Sequence, residues 1–405
     1  MTWNIYNKQY DLTKYMDQHP GGKDILLKCK NEKDLTVLFE TYHAFSDKER
    51  IKQILNKYEI NTDIISNNKI YDFTNYNKLL KEIKILFPNR SSIKADTFFV
   101  IQNSIVFLLY CYFFCNAMFS TYYSIYIKCL FSCISGLLCS SLFLFNILHD
   151  GSHYSISIYP SVNNILNKIS NSWVLMNNKI WFYHHIINHH SFTGEENLDP
   201  DLYHFFPFVH KLKTNSKKIK MFNKIYTVLF LSVFPGQGFI QIIHYIFSQF
   251  THKLFIIKLP NILLYDITDI CIMLFNLYCL YNGGVILTML YIIILNFLYN
   301  INVALNHDTY ETNIKNRYEG DDWLKLQVCN SGNFLNGNII WTKIFGSINY
   351  QIEHHLFPNM SNVHYPIIAP IVKKFCEERN IPYVNHTTLW GGYKSYLKML
   401  KINNS

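Results

Sequence analysis

Four long apolar runs constrain the fold of this chain more than any other feature of its sequence. They cover about residues 97–119, 129–148, 262–280 and 285–303. Each run is close to the roughly 20 residues that an α-helix needs to cross the hydrocarbon core of a bilayer. Short links rich in Tyr, Ser, Asn and Gly join the runs in pairs, which predicts two helical hairpins. We therefore expect a polytopic membrane protein with four transmembrane helices.

The third run and one further apolar stretch depart from this simple pattern. Asp266 and Asp269 interrupt the third run. Because charges are costly in lipid, both carboxylates should face a protein interior or the membrane interface. Residues 221–250 are also apolar, but Pro235 and Gly236 break the stretch. We expect this stretch to lie in the membrane interface.

The composition agrees with a membrane protein and argues against a nucleic-acid partner. Hydrophobic residues make up 49% of the 405 residues and charged residues only 16%, against roughly 25% charged residues in soluble globular proteins. The net charge is +9, but the basic residues lie outside the apolar runs and form no single patch. We expect a solvated loop near anionic lipid headgroups at Lys211, Lys213, Lys217, Lys218 and Lys220.

The ten cysteines include no Cys-x-x-Cys pair. Most of them lie inside or beside the apolar runs. We therefore interpret them as small apolar packing residues, and expect neither disulfides nor zinc ligands.

An even number of crossings has a consequence for topology. It places the amino terminus, residues 149–260 and the tail from residue 305 on one side of the membrane. That side carries the excess of Lys and Arg, which is typical of a cytosolic face. The polar amino terminus has no pattern of a cleaved signal peptide, so it should also stay in the cytosol.

The chain divides into three regions. Residues 1–60 are polar and of mixed pattern, which is typical of a small soluble domain. Residues 61–96 form a connector in which Leu79, Leu80, Ile83 and Leu86 recur at helical spacing, so an amphipathic helix near the membrane surface is expected. Residues 97–405 form the membrane unit.

Three histidine clusters lie next to the predicted spans, at His149 and His153, at His185, His189 and His190, and at His354 and His355 after Gln351. His149 and His153 are four residues apart and share one face of a helix. Adjacent histidines point about 100° apart on a helix, so they serve two metals more easily than one. The pattern predicts a dinuclear site. Imidazole suits iron, copper, zinc or nickel, and this many neutral ligands at a membrane boundary favours metals that change oxidation state and handle oxygen.

The clusters resemble the three histidine boxes of membrane fatty acid desaturases. The second box, Trp181-Phe-Tyr-His-His-Ile-Ile-Asn-His-His-Ser-Phe-Thr193, and the third, Gln351-Ile-Glu-His-His-Leu-Phe-Pro358, are similar to those of the front-end subgroup. The initial Gln351 stands where other desaturases have His. In the wider family a further histidine precedes the third box, and His307 in Asn306-His307-Asp308 matches that place. The resemblance implies metal ligands at His149, His153, His185, His189, His190, His307, His354 and His355. It also assigns Gln351 to the metal site, where three roles are open: direct ligand, holder of a water molecule, or a residue that shapes the site.

The amino-terminal region resembles a cytochrome b5 domain. The matching residues are Trp3, the motif His19-Pro-Gly-Gly22, the run Asp34-Leu-Thr-Val-Leu-Phe39, and His43. The resemblance implies that His19 and His43 bind the iron of haem b from opposite faces, which fills both axial positions and suits electron transfer. The chain begins almost at the matched Trp3, so we expect a domain that is short at its amino-terminal edge.

These resemblances imply the fold class. It is a multi-domain chain with a small α+β cytochrome b5-like haem domain, followed by an all-α polytopic membrane desaturase domain. That domain has four transmembrane helices and a cytosolic histidine-rich cap.

The implied activity is oxygen-dependent introduction of a cis double bond into an unsaturated fatty acyl chain, on the carboxyl side of an existing double bond. Two iron ions, haem b and O2 are the implied cofactors and co-substrate, and no catalytic side chain is expected beyond the metal ligands. The implied partners are an acyl-CoA or phospholipid substrate and a nicotinamide-dependent cytochrome b5 reductase. The implied location is the endoplasmic reticulum membrane, with both termini cytosolic.

Three alternatives share parts of this pattern. A sphingolipid long-chain-base desaturase has the same plan with another substrate. A lipid hydroxylase uses the same irons but returns oxygen to the substrate. A non-catalytic membrane haem protein would carry a decayed desaturase unit, and the intact histidine clusters argue against it.

Overall fold

The computed structural model describes residues 1–61, 69–203, 211–213, 215–218, 220–221 and 236–404. The first region is a small α+β unit. Its antiparallel sheet has the order β1 (Trp3–Ile5), β2 (Lys8–Tyr10) and β3 (Glu59–Asn61), and Trp3 pairs with Tyr10. Three helices complete the unit: α1 (Lys23–Lys28), α2 (Thr36–Tyr42) and α3 (Lys48–Tyr58). The buried Trp3 indole donates a hydrogen bond to the Leu26 carbonyl over 2.9 Å and so ties the sheet to α1.

The connector contains the predicted amphipathic helix, α4 (Thr74–Leu86). Leu79, Leu80 and Ile83 are buried, whereas Leu86 is half exposed. The buried face packs on protein: the Tyr76 ring on α4 lies 4.9 Å from the ring of Trp323. The apolar spacing therefore marks a contact with the carboxy-terminal part of the chain.

Among the described residues, three helical stretches are long and apolar enough to cross a membrane. The first is α5 (Thr97–Phe119), as predicted. The second is α6 (Ile125–Cys139), which continues as a π-helix over Ser140–His149 and as the short α7 (Asp150–Ser152). The third contains α11 (Ile267–His307), which holds the third and fourth predicted runs in one element. Only 22% of the most apolar window of α5 is buried inside the protein, so most of its surface is free to face lipid.

The helix α11 is interrupted at its middle. Gly284 has φ 70° and ψ 177°, a conformation that is nearly restricted to glycine. The helix begins at Ile267, five residues after the predicted start, because Asp266 caps it: the Asp266 carboxylate accepts from the backbone N–H groups of Thr268 and Asp269. Asp269 is fully buried and accepts from the Ser172 hydroxyl over 2.9 Å. This carboxylate faces the protein interior, as its cost in lipid requires.

The remaining elements form a cap around the helix ends that carry His149 and His307. After α7 follow α8 (Pro160–Trp173), α9 (Asn178–Trp181), a π-helix over Phe182–His189 and a 3₁₀ turn at Pro200–Tyr203. The carboxy-terminal part has α12 (Trp323–Cys329), α13 (Ile339–Ile344), α14 (Gln351–Leu356), α15 (Tyr365–Glu377) and α16 (Leu389–Asn403). Small additional elements are 3₁₀ turns at Met16–Gln18 and Asn362–His364, a π-helix at Glu311–Lys315, the antiparallel pair β4 (Lys253–Leu254) and β5 (Ile257–Lys258), and the parallel pair β6 (Asn333–Phe334) and β7 (Asn385–His386).

One expectation about the basic loop is wrong for Lys211. This lysine is buried and its ammonium lies 2.7 Å from the buried carboxylate of Asp308. An ion pair inside the protein, and no solvent or lipid headgroup, therefore satisfies its charge. Lys213, Lys217 and Lys218 are exposed, as predicted.

Two further expectations concern the apolar stretch at 221–250 and the cysteines. Within the stretch, α10 (Gly236–Thr251) is helical, whereas residues 222–235, with Pro235, lie outside the described residues. All ten cysteines are free thiols in the structure.

Candidate metal centre and haem site

The eight histidines that the sequence predicts as metal ligands lie together in one buried region at the ends of the apolar helices. His149 ends the π-helical part of the second stretch, and His153 follows α7. His185, His189 and His190 lie in or directly after the second π-helix, which begins at Phe182. His307 ends α11, and His354 and His355 lie in α14. All are buried except His307, which is partly buried.

Their ring nitrogens form two groups. His149, His153, His185 and His354 have ligand atoms within 4.8 Å of one another, and so do His189, His307 and His355. His190 lies between members of the first group: its Nε2 is 3.2 Å from Nε2 of His185 and 2.9 Å from Nε2 of His354. In the second group, Nε2 of His355 is 3.2 Å from Nε2 of His307.

The other ring nitrogen of most of these histidines is held by a neighbour. Nδ1 lies within hydrogen-bond distance of the Tyr42 hydroxyl for His153 (2.8 Å), Asp199 for His189 (3.0 Å), the Asn330 carbonyl for His307 (3.0 Å), the Tyr365 hydroxyl for His354 (3.1 Å) and the Gln327 side-chain oxygen for His355 (2.8 Å). A neutral imidazole that donates from Nδ1 presents a lone pair at Nε2. These partners therefore turn the lone pairs towards one another.

This arrangement fits a metal centre. Facing lone pairs about 3 Å apart repel each other unless a cation lies between them, and metal-bound histidines usually donate their second N–H to such partners. Nε2 of His153 is buried and has no hydrogen-bond partner in the part of the chain that the structure describes, as expected for a ligand atom. Burial, followed by the neighbouring histidines, lowers the pKa of His185, His190 and His354 well below the usual value. These rings are therefore neutral, the form that binds metal.

The aspartates beside the second cluster hold its rings in place. Burial alone would lower the pKa of His189, but Asp201 and Asp199 together raise it to about 9. The two carboxylates therefore favour a positive charge at this ring, which a metal ion at Nε2 would supply while Nδ1–H donates to Asp199. Asp201 is bound to His184 Nε2 over 2.6 Å, while His184 Nδ1 lies 2.8 Å from the Tyr245 hydroxyl. Since both nitrogens of His184 are occupied, this histidine supports the site and offers no lone pair to a metal.

Gln351 lies at the edge of the second histidine group. Its Nε2 is 3.0 Å from Nε2 of His307, and its Oε1 accepts a hydrogen bond from Asn306 over 2.9 Å. The side chain is buried. Gln351 is therefore brought to the site together with the eight histidines.

A narrow apolar cavity of about 50 Å³ leads to the two histidine groups. Its apolar walls come from Leu144, Leu148, Met176, Trp181 and Val303, and its inner end is formed by His149, His185, His189, His307 and Gln351. The apolar part of this lining suits an apolar ligand, and a ligand bound there would lie next to the histidine nitrogens.

The amino-terminal unit has a second cavity, of about 330 Å³, with His19 and His43 among its lining residues. The two rings have their centroids 6.2 Å apart, which leaves room for one iron between them. Nδ1 of His19 lies 3.2 Å from the Gly22 carbonyl and Nδ1 of His43 lies 2.9 Å from the Phe39 carbonyl, so each ring keeps its Nε2 for a metal. A Cβ on Gly21 would lie 2.7 Å from the His19 ring, and only glycine fits this close approach.

Several residues of the site were not predicted from the sequence. Tyr42, Gln327, Asn330 and Tyr365 hold the histidine rings. They come from three places in the fold: the end of α2, α12 with the residue that follows it, and the start of α15. Each is a common residue type without a motif, and its role depends on the tertiary contacts. Only Tyr42 could have been connected to a site from the sequence, because it directly precedes the predicted haem ligand His43.

The fold and the site together define a class: a membrane protein with a buried histidine-rich metal centre beside an apolar cavity, joined to a haem-binding type of domain. Comparison with known families agrees. Residues 123–387, more than half of the chain, match the model of the family Fatty acid desaturase, and residues 2–64 match Cytochrome b5-like Heme/Steroid binding domain. The chain belongs to the fatty acid desaturase family and is an oxidoreductase with a fused cytochrome b5-like domain. The resemblance to front-end desaturases of this type is thereby confirmed.

Curated relatives extend over nearly the whole chain. An acyl-lipid (8-3)-desaturase of Mortierella alpina is 28% identical and covers 98% of this chain and 92% of its own. Delta(5) fatty acid desaturase A of Dictyostelium discoideum is 29% identical and covers 94% of this chain and 85% of its own. An acyl-lipid (8-3)-desaturase of Physcomitrium patens is 27% identical, with coverage of 98% and 87%. The similarity therefore includes both the amino-terminal unit and the membrane unit.

Proposed function

We propose that this protein introduces a cis double bond into an unsaturated fatty acyl chain, between an existing double bond and the carboxyl end, in a reaction that uses O2. One observation carries the proposal: two groups of histidine nitrogens converge at the inner end of an apolar cavity. The names of the relatives, acyl-lipid and Delta(5) fatty acid desaturases, support the same reaction.

We infer that the two histidine groups hold two iron ions. His149, His153, His185 and His354 are the proposed ligands of one iron, and His189, His307 and His355 those of the other, with His190 beside the first set and Gln351 beside the second. Iron supplies the one-electron chemistry and oxygen activation that an unactivated C–H bond requires. Tyr42, Asp199, Gln327 and Tyr365 orient the rings and fix which nitrogen carries the proton.

The protein's own side chains position the substrate and keep water away from the reacting carbon. No side chain can remove a proton from an unactivated methylene, because such a C–H bond is not acidic. Leu144, Leu148, Met176, Trp181 and Val303 instead bind the hydrocarbon and hold one part of it against the histidines. Their apolar surface also keeps bulk water away from the reacting carbon.

The proposed substrate is an acyl chain carried by a membrane lipid. The names of the relatives favour a lipid-linked chain over a coenzyme A thioester. A lipid remains in the bilayer, and the apolar cavity lies next to the membrane helices. The length of the chain and the number of carbons between the carboxyl group and the new bond depend on the shape of this cavity.

In the amino-terminal unit, His19 and His43 are the proposed axial ligands of haem b. With both axial positions filled, this group carries electrons and does not bind oxygen. A nicotinamide-dependent cytochrome b5 reductase is the proposed electron donor, since cytochrome b5-like domains are the usual partners of such reductases.

We also propose four membrane crossings, with both termini in the cytosol and the protein in the endoplasmic reticulum. The break at Gly284 supports two crossings within α11. The Thr288 hydroxyl donates to the carbonyl of Leu280 over 2.6 Å, although residues eight apart lie about 12 Å apart along a straight helix. The two halves therefore fold back on each other. Each half has a length within the range that spans a bilayer.

Expression in a host without polyunsaturated lipids tests this function. Cells are fed defined unsaturated fatty acids one at a time, and their lipids are analysed by mass spectrometry after derivatisation that locates double bonds. We expect a new double bond on the carboxyl side of the existing one. A new double bond only in sphingoid bases would favour the long-chain-base alternative, and a hydroxylated chain would favour the hydroxylase. No product with any substrate would refute the proposal.

A further inference from the structure

We propose that Tyr42 is a positioning residue that connects the haem unit to the metal centre for electron transfer, through its hydrogen bond to His153. The inference rests on the proposed function, since it assumes haem at His19 and His43 and iron at the histidine groups. It adds a specific contact between them, which belongs to neither the axial haem ligands nor the iron ligands.

Tyr42 touches both sites. Its side chain lines the haem cavity, and its backbone is joined directly to that of His43. On its other side, the hydroxyl lies 2.8 Å from Nδ1 of His153, and the two rings are nearly parallel, 15° apart, with their centroids at 6.4 Å. With His153 Nε2 turned to the metal, Nδ1 carries the proton, and this N–H donates a hydrogen bond to the Tyr42 oxygen.

Further contacts fix the position of Tyr42 between the two units. The Tyr42 carbonyl accepts from the Asn359 side chain over 2.9 Å, and Asn359 follows closely after the third histidine cluster. The neighbouring Phe45 packs its ring 6.0 Å from that of Phe357. The Arg90 guanidinium donates to the carbonyl of Pro20 over 3.2 Å, next to His19. The haem unit is therefore held with α2, which carries Tyr42, against the metal centre.

This arrangement provides a short path for electrons. Electronic coupling falls steeply across gaps that no bond bridges, and the path from His43 through Tyr42 to His153 consists of covalent bonds and one hydrogen bond. In each transfer one electron leaves ferrous haem iron, which becomes ferric, and one ferric ion of the metal centre becomes ferrous. Two such electrons, with two electrons and two protons from the substrate and two protons from solvent, reduce one O2 to two waters.

The substitution Tyr42→Phe tests the connection, because it removes the hydroxyl and keeps the ring. Its matched control is Tyr183→Phe. The Tyr183 hydroxyl donates to the Lys28 carbonyl over 3.0 Å, so it also joins the haem unit to the membrane unit, but it touches neither His43 nor His153. Both variants lose one hydrogen bond between the same two units, and only Tyr42→Phe interrupts the proposed path.

The measurement is the rate of haem oxidation without oxygen or lipid. Full-length protein with ferric iron in the metal centre receives one electron at the haem by flash photoreduction, and the reduced haem band is followed in time. Iron and haem are quantified in each sample, with iron refilled anaerobically where needed, and the haem midpoint potential is measured to exclude a change in driving force.

We expect Tyr42→Phe to slow haem oxidation by about tenfold or more, the range in which loss of a partner of a metal-bound histidine acts. Haem potential should stay unchanged, and Tyr183→Phe should behave as the wild type. Equal rates in Tyr42→Phe and wild type, or equal slowing in both variants, would overturn the role of Tyr42 and leave the proposed function standing. Absence of any haem oxidation in the iron-filled wild type would overturn both.

Discussion

At the scale of single residues, the contacts of each histidine nitrogen define the site better than the spacing of the histidines in the sequence does. The sequence spacing predicts which histidines share a helix face. It does not predict that His190 lies with His185 and His354, because that contact depends on how α14 meets the second π-helix. Likewise His184 belongs to the second cluster by sequence, but its two nitrogens are bound to Asp201 and Tyr245. Tertiary contacts decide which members of a cluster face the metal.

His189 provides the first residue-scale prediction. His189→Ala removes one of the three histidines of the second group and leaves the Asp199 and Asp201 carboxylates without their imidazole. We expect no detectable desaturated product and a lower iron content in the purified protein. The control is His244→Ala on α10, since His244 packs near Phe255, outside the histidine groups. Full activity of His189→Ala would contradict its role as a ligand.

His43 provides the second residue-scale prediction. His43→Ala removes one axial ligand from the haem cavity. We expect loss of the absorption spectrum of a haem with two histidine ligands, together with unchanged iron at the other site, because the two sites have separate ligands. Activity with the natural reductase should disappear. A normal spectrum in this variant would show that another residue binds the haem.

At the scale of secondary-structure elements, the apolar pattern predicted the helices but not the surfaces that they contact. The first run coincides with α5, and the spacing of Leu79, Leu80 and Ile83 correctly predicted a helix at α4. Periodicity shows only that a face is apolar, however. It cannot distinguish a face that meets lipid from one that meets Trp323, which lies far away in the sequence. Lys211 is a similar case, since only the fold brings Asp308 to it.

The contact between α6 and α11 gives an element-scale prediction. Gly136 on α6 lies so close to α11 that a Cβ would be 2.6 Å from the Tyr291 carbonyl oxygen. A backbone oxygen inside a helix cannot move aside, and small residues commonly permit such approach between membrane helices. Gly136→Ala should therefore lower the free energy of unfolding by about 1–3 kcal/mol.

Thermal denaturation in detergent measures this effect. Leu130→Ala is the control, because Leu130 lies on the same helix with its side chain 58% exposed. We expect a lower denaturation temperature for Gly136→Ala and little change for Leu130→Ala. Equal temperatures for both variants would contradict the close packing of the two helices.

At the scale of the whole molecule, the four crossings that we propose would bring all eight histidines to one side of the membrane. Acceptor sites for N-glycosylation test the topology. Sites inserted at residues 121–123 and near Asn282, in the two links between spans, should be glycosylated in microsomes, because modification takes place only in the lumen. The sequence has four natural acceptors, at Asn89, Asn359, Asn385 and Asn403. The two exposed ones, Asn89 and Asn385, should remain unmodified. Glycosylation at either of these natural sites would contradict a cytosolic cap.

The haem unit packs on the membrane unit of the same chain. This packing could not be predicted from the sequence. Motifs identified a haem domain and a membrane domain with their ligands. The side on which the haem domain docks depends on contacts such as Arg90 with Pro20 and Asn359 with Tyr42, which join residues far apart in the sequence. No local pattern marks such residues.

Turnover of a single acyl lipid by the purified, iron-filled protein tests the central claim most directly. The lipid carries one existing double bond and deuterium on the methylenes towards its carboxyl end, and electrons enter through the haem domain. The account predicts an O2-dependent product that has lost two of these deuterium atoms and gained a cis double bond at that position. A product that has gained an oxygen atom, or an unchanged lipid with both cofactors in place, would contradict it.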